Sequence, residues 1–464
     1  MKITLPNQYD FFSRFSRLTT INILSNITEP LAGTISLVFL GHLNQIHYLA
    51  GITLSTTLFN YMYFIVNLLR MGTTGVTAQA VGRDDREQML LVGLRNGLIA
   101  LSIGGLILVL QYPLQQLWFG ILNATPLVKA SGIDYFNARI WGAPAVAVNF
   151  VLVGWFLGRE KSGYVLLMTL VANTANIMFD YLFIIHWHWA STGAGVSQAV
   201  SQYLMLLLGI ILVSRDINWQ ELRSAAERLW DASAFKAAFI LNGNIFIRSS
   251  ASMLVATIFT VLSSAMGTTI LTKNALLLQV IMLFLYFFDG VGFATETLSG
   301  NFKGKKDSER LLPIIQVALS SSLLLGLAGG GACFLFPQSI FGLFTNHEEV
   351  TEQIQIYIPW LVSILGLNSV SVVLEGYFAG LAQGQFLRNS ALWGSLLGFA
   401  PLAIVAWHYH SNHILWLAMT VFRLTRTIVL VIQMPGTFED SLAVVTSQLP
   451  SSQQETKTDT STFH

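Results

Sequence analysis

Long apolar stretches alternate with short polar ones along the whole chain, and the apolar stretches are too long to be strands. Crossing roughly 30 Å of hydrocarbon takes about 20 residues of helix. Stretches of that length fall at 18–41, 48–76, 89–111, 132–157, 163–186, 191–213, 235–262, 268–298, 311–336, 353–381, 388–408 and 412–433. They mix aliphatic residues with Gly, Ser, Thr and Asn and lack a two-residue alternation, so they predict helices and not a barrel. The first stretch is too long for a signal-peptide core and is read as a retained helix.

Composition and charge sharpen the picture. Of the residues, 53% are hydrophobic and 11% charged, against about a quarter charged in soluble domains. With the N-terminus placed inside, 18 of the 25 Lys and Arg fall in inner segments and only Lys129 and Lys273 in outer loops. The remaining five, Arg70, Arg139, Arg248, Arg423 and Arg426, lie in or at the ends of helices. This split is what the positive-inside rule predicts for an even number of spans with both termini cytoplasmic, as in a bacterial inner membrane. A net charge of +1 argues against nucleic acid, and the single cysteine, Cys333, excludes an internal disulfide.

The two halves answer one another. "TAQAVGRDD" (77–85) corresponds to "SGNFKGKKD" (299–307), and "GWFLG" (154–158) to "GYFAG" (376–380), both 222 residues later. The expected fold is an all-α integral membrane protein of twelve transmembrane helices in two pseudo-symmetric six-helix lobes. Six spans separate equivalent points, so the repeats run parallel about an axis along the membrane normal, as in several transporter folds. The segments expected are a cytoplasmic N-terminus (1–17), an N-lobe (18–213), an amphipathic linker (214–234), a C-lobe (235–433) and a polar, disordered tail (434–464).

Candidate chemistry lies in acids stranded among apolar residues. An ionised carboxylate in mid-membrane costs about 2.5–3.5 kcal/mol on insertion scales, so it faces the bundle interior. Asp180 has Asn176 four and Asn173 seven residues before it, which puts all three on one helical face. A carboxylate with amide carbonyls suits a hard cation such as Na⁺, and a carboxylate also exchanges protons. The alternative for Asp180 is a structural bond to Ser197, Gln198 or Ser201. Glu29 precedes Pro30, which removes a backbone donor, and it lies seven residues, or about 10 Å, inward of Ser36. In the second half Asp289 and Glu296 share a face, and Glu375 and Arg248 lie mid-helix; acids lining a cleft favour a cation, and Phe287, Phe288, Phe293 and Tyr377 offer aromatic faces. The histidines of "HWHW" (186–189) and "HYHSNH" (408–413) sit with Trp at the interface and are not read as a metal site. No nucleophile–base set marks an enzyme.

"SNITEPLAGTISLVFLGHL" (25–43), "LRMGTTGVTAQAVG" (69–82), "GWFLG", "NIMFD" (176–180), "IFIRSS" (245–250), "FDGVGFATETLSGNFKGK" (288–305) and "LEGYFAGLAQGQFLRNS" (374–390) resemble the multidrug and toxic-compound extrusion (MATE) family, in its DinF-like branch. The resemblance implies a V of two lobes exporting organic, cationic or amphipathic compounds against inward H⁺ or Na⁺, with no cofactor beyond that ion and a monomer in the bilayer. It puts Asn176 and Asp180 on the family's cation-binding pair. The family's helix-one Asp falls on Ser36, which cannot titrate, and an early helix-one Pro falls on Ile21. A family Thr lands near Gln198, and Glu375 stands where the branch has Asp. The usual pair of acids is thus halved, and Glu29 is the expected partner of Asp180 in coupling. A lipid-linked precursor flippase and a binding protein without transport are the alternatives; a flippase calls for a cation-lined cleft, whereas the sequence reads as mostly acids there.

Overall fold

The computed structural model of the chain describes residues 7–41, 43, 45–342 and 353–446. Among the described residues there is no strand, and twelve helices are long and apolar enough to cross a bilayer. They are α1 (Phe12–Gly41), α2 (Ile46–Gly82), α3 (Arg86–Val109), α4 (Pro126–Gly158), α5 (Ser162–His186), α6 (Ala190–Asp216), α7 (Ala232–Ala265), α8 (Thr268–Gly304), α9 (Ser308–Leu335), α10 (Gln355–Gly380), α11 (Gly384–Tyr409) and α12 (Asn412–Phe438). Each matches an expected span to within a few residues at most ends. Two begin on side-chain caps: Asp85 accepts from the Gln88 amide at 2.9 Å ahead of α3, and Asp231 accepts from the Ser233 amide ahead of α7. Such caps satisfy amides that have no partner within the helix.

One difference from the sequence expectation concerns the C-terminal end. A helix runs without a break from Asn412 to Thr446, so 434–446, expected in the tail, is helical, because extending a formed helix costs far less than starting one. The disordered tail expected beyond it, 447–464, lies outside the described residues, as do 1–6 of the expected N-terminus. The linker carries a short amphipathic helix, Trp219–Glu227, capped by Asn218.

The 222-residue repeat is written into the backbone. The left-handed residues Asp84 and Lys306, Glu160 and Ala382, and His188 and His410 are three pairs at that spacing. The hydrogen bonds that close these turns repeat too: Asp85 N to Ala80 O and Asp307 N to Phe302 O, Lys161 N to Phe156 O and Gln383 N to Phe378 O. Glycines repeat the helix contacts. A Cβ on Gly154 would stand 2.4 Å from Arg70 O, and one on Gly376 2.4 Å from Gly292 O, which fixes α4 on α2 and α10 on α8. Only glycine permits backbones this close.

The lobes dock through α2 and α8. A Cβ on Gly82 would stand 2.2 Å from Asn301 O, and one on Gly304 2.2 Å from Gln79 O, a reciprocal contact across the pseudo-twofold. Gln79 Nε2 donates to Gly380 O at 2.9 Å and Thr297 Oγ1 to Leu157 O at 3.1 Å. All of these sit at the end where α2, α4, α8 and α10 finish, and one apolar core with Leu69, Leu298, Phe302 and Leu374 joins both lobes there. Toward the opposite end each lobe has a separate core, around Phe59 and Phe136 in one and around Phe259 and Trp416 in the other. The lobes therefore meet at one end and divide toward the other.

Candidate functional site

Asp180 is the last residue of the α-helical part of α5; the next turn, Tyr181–His186, is π-helical, and the matching helix of the C-lobe has a π turn at Gly394–Phe399. A π turn frees backbone groups and re-aims the side chains beside it, which is why such turns gather at functional sites. Asp180 is 1% exposed. Ser36, on α1, donates a short hydrogen bond to its Oδ2, while Oδ1 is buried without a hydrogen-bond partner. Ser36 Oγ also lies 3.3 Å from Asn176 Oδ1, which accepts from Gln198 Nε2 at 3.1 Å, and Asn176 Nδ2 donates to Ser197 Oγ at 2.9 Å. Ser197 in turn donates to Asn176 O at 3.0 Å. Two turns away Asn173 Nδ2 donates to Thr28 Oγ1 on α1 at 2.8 Å.

Three helices, α1, α5 and α6, thus bring Asp180, Asn176, Ser36 and Gln198 together, Gln198 through its amide nitrogen. The amide oxygen of Asn176 faces Ser36 and its nitrogen faces Ser197, leaving oxygens on the Asp180 side. The unpaired Oδ1 is costly in a dry interior unless it has a charge partner. Arg139 on α4 is within electrostatic reach of Asp180 but makes no ion pair; its Nη1 donates to Tyr135 Oη at 2.8 Å and its guanidinium lies over the Phe59 ring at 4.5 Å. Glu29 is exposed and without a hydrogen bond or ion pair among the described residues. It stands just beyond the points where α1 seals against α8, Ile23 at Gly290 and Asn26 Nδ2 donating to Tyr286 O at 3.2 Å. It is therefore at the floor of the divide between the lobes, and does not touch Asp180.

The C-lobe candidates divide differently. Glu375 is buried between two arginines, Arg248 of α7 and Arg426 of α12, both at ion-pair contact. Glu296 is 1% exposed and pairs with Arg70 of the other lobe at 3.2 Å; Arg70 lies over Phe293 at 4.0 Å. Asp289 is half-buried and makes no ion pair. Phe288 and Tyr377, offered as cleft aromatics, are fully buried packing residues, Tyr377 sharing a hydrogen bond with Thr437 at 2.8 Å. Phe287 and Phe293 are half-buried. The acid-lined interior read from the sequence is not what the fold assembles: Glu29, Asp180, Asp289, Glu296 and Glu375 are matched by Arg70, Arg139, Arg248, Arg423 and Arg426. Arg423 and Arg426 carried the same signal as Asp180, a charge in mid-span, and deserve equal weight on that ground.

Among the described residues no cluster of three His, Cys, Asp or Glu has metal-site geometry. Comparison with known proteins agrees with this architecture. The MatE family model matches residues 22–182 and 245–410, one block in each lobe. DNA damage-inducible protein F of Escherichia coli is 30% identical over 405 residues, covering 86% of this chain and 87% of that protein. A probable multidrug resistance protein NorM of Thermotoga maritima is 22% identical, with 86% of this chain and 88% of that protein covered. An outward-facing multidrug resistance MATE transporter superposes with a TM-score of 0.83 at 16% identity, over 92% of this chain and 96% of that one. With both repeats matched in order and most of the length of these two relatives spanned, this chain belongs to the MatE family of multidrug efflux transporters.

Proposed function

We propose that the protein exports amphipathic organic compounds across a bacterial inner membrane in exchange for an inward-moving H⁺ or Na⁺, the two lobes rocking about a midplane site. The observation that carries this reading is the Asp180 carboxylate: buried, with Oδ2 held by Ser36 and Oδ1 unpaired beside the Asn176 carboxamide. That is the oxygen set a small hard cation or a proton takes. With the termini placed in the cytoplasm by the charge split, the sealed end faces inward and the divide opens outward. A cation arriving from outside meets Glu29 at the floor of the divide and Asp180 on the lobe wall, and the two share the coupling role. Neutralising Asp180 removes a buried charge, which lowers the cost of closing the N-lobe around it. A single chain holds both lobes, so a monomer suffices. The charge balance no longer selects a cationic cargo, since arginines equal acids in the interior; the amphipathic character remains as the basis for recognition.

The test is efflux of a fluorescent amphiphile from liposomes holding purified protein, under an imposed pH or Na⁺ gradient. Wild type is expected to respond to one of the two gradients, Asp180→Asn to lose that response, and Glu29→Gln to retain a reduced one. Gradient-driven efflux at wild-type rate in both variants overturns the coupling assignment. Efflux in the wild type that ignores both gradients makes the protein a facilitator.

A further inference from the structure

The C-lobe interior holds more positive charge than its acids answer. Arg248 and Arg426 share the one carboxylate of Glu375, and Arg423, three residues from Arg426 on the same face of α12, makes no ion pair among the described residues. The Nε atoms of Arg248, Arg423 and Arg426 are all buried without a hydrogen-bond partner. Asp289, on α8, is within electrostatic reach of Arg70, Arg248 and Arg423 and makes no ion pair among the described residues, and Glu296 is taken by Arg70. Three arginines therefore face two acids, while the N-lobe site has the opposite balance, Glu29 and Asp180 against Arg139.

The fold does not require these arginines. At the 222-residue spacing the positions of Arg248, Arg423 and Arg426 correspond to Asn26, Ser201 and Leu204, so the same helices pack in the N-lobe with neutral side chains there. A guanidinium in mid-membrane is costly, and one without a counter-ion is retained for a partner that comes and goes. Its planar fork matches a carboxylate, sulfate or phosphate in two parallel hydrogen bonds.

We propose that the C-lobe midplane is an oxyanion subsite, in which Arg423, beside the Glu375-paired Arg248, holds the carboxylate, sulfate or phosphate of an amphipathic cargo and Asp289 faces it when the cargo is absent. This rests on the two-lobe transport reading and names the chemistry of its cargo.

The full chain in phosphatidylcholine nanodiscs is titrated with two probes sharing one apolar body, 1-pyrenebutanoate and its trimethylammonium counterpart, read by fluorescence anisotropy. The anion is expected to bind about tenfold or more tightly than the cation in the wild type, the difference made by charge-assisted hydrogen bonds. Arg423→Gln is expected to lose about that factor for the anion alone, Arg423→Lys to recover part of it, and Asp289→Asn to strengthen anion binding severalfold. Tighter binding of the cation in the wild type overturns the proposal, and so does an Arg423→Gln loss equal for both probes. Should Arg423→Gln not fold, judged by its melting curve, Asp289→Asn decides: weaker anion binding there means the aspartate and arginines form a structural pair, and the subsite fails. Displacement of pyrenebutanoate by added phosphatidylglycerol assigns the subsite to lipid phosphate, and no displacement assigns it to a free amphiphile; both keep the oxyanion chemistry. Because these are binding measurements, loss of gradient coupling with anion binding intact would fault the transport mechanism and leave the subsite standing.

Discussion

Ser36 shows what a hydroxyl can and cannot do where a carboxylate is expected. It places an oxygen between Asp180 and Asn176 and donates to Asp180, so it keeps the geometry of a two-residue site while carrying no charge. On the proposed coupling role, a cation at the carboxylate would leave the same oxygen free to turn its lone pair inward. Ser36→Ala is therefore expected to leave the fold intact and to weaken coupling-ion affinity by about tenfold, the worth of one ligand or hydrogen bond of about 1.4 kcal/mol. The half-saturating ion concentration for efflux measures it, and an unchanged value removes Ser36 from the site. Glu29 differs in kind. It makes no hydrogen bond or ion pair among the described residues, so Glu29→Gln is expected to leave the melting curve little changed while slowing gradient-driven efflux. A thermal melt beside the efflux assay separates the two effects. A large loss of stability would mean that the side chain is structural.

Glycines define which helices belong to one lobe and which form the hinge between lobes. Gly154 and Gly376 press α4 on α2 and α10 on α8 inside their own lobes, whereas Gly82 and Gly304 touch only across the pseudo-twofold. The two kinds respond differently to a methyl group. Gly154→Ala or Gly376→Ala has nowhere to relax within a rigid lobe and is expected to cost about 1–3 kcal/mol of stability, as overpacking does. Gly82→Ala with Gly304→Ala relaxes by parting the lobes, and is expected to leave the melting curve little changed while opening the sealed end to water-soluble thiol reagents at a cysteine introduced at Gln79. Equal destabilisation by both pairs would show that the lobes do not move as units. The spans and the repeat were legible in the sequence because a length of about 20 apolar residues and a fixed spacing of glycine and charge survive in one dimension. Asp180, Asn176 and Asn173 were legible for a similar reason, being one face of one helix. The π turn after Asp180 was not, since an inserted residue leaves the apolar pattern of α5 unbroken. Nor was the helix Gln111–Ile121, which follows α3 in a continuous apolar stretch. Least legible was the charge pairing: Arg70 meets Glu296 226 residues away, a contact that exists only once the lobes have docked.

That pair joins the lobes at the depth where the sealed end gives way to the divide. Arg70 Nη1 reaches Glu296 Oε2 at 3.2 Å, its Nε donates to Asn67 at 3.3 Å, and both side chains are nearly or fully buried. In the proposed rocking motion the sealed end opens and Arg70 and Glu296 separate, so on that reading the pair favours the conformation described here over its alternative. Removing one partner leaves a buried charge uncompensated at a cost of about 3–5 kcal/mol, whereas removing both for apolar residues of similar volume is close to neutral. Moving a two-state equilibrium from 1:99 to 99:1 takes about 5.5 kcal/mol, so the loss of Arg70 alone is large enough to carry the population most of the way to the opposite state. Arg70→Met is expected to open the sealed end and slow export; Arg70→Met with Glu296→Met is expected to close it again. Spin labels at Arg83 and Lys305, both exposed beside Gly82 and Gly304, in a Cys333→Ala background would report the distance by electron–electron double resonance. If the single variant keeps the short distance, the latch is not electrostatic and the glycine contacts alone hold the lobes. If the double variant stays open, the pair does more than cancel charge, and its hydrogen bonds, not its neutrality, set which way the transporter faces.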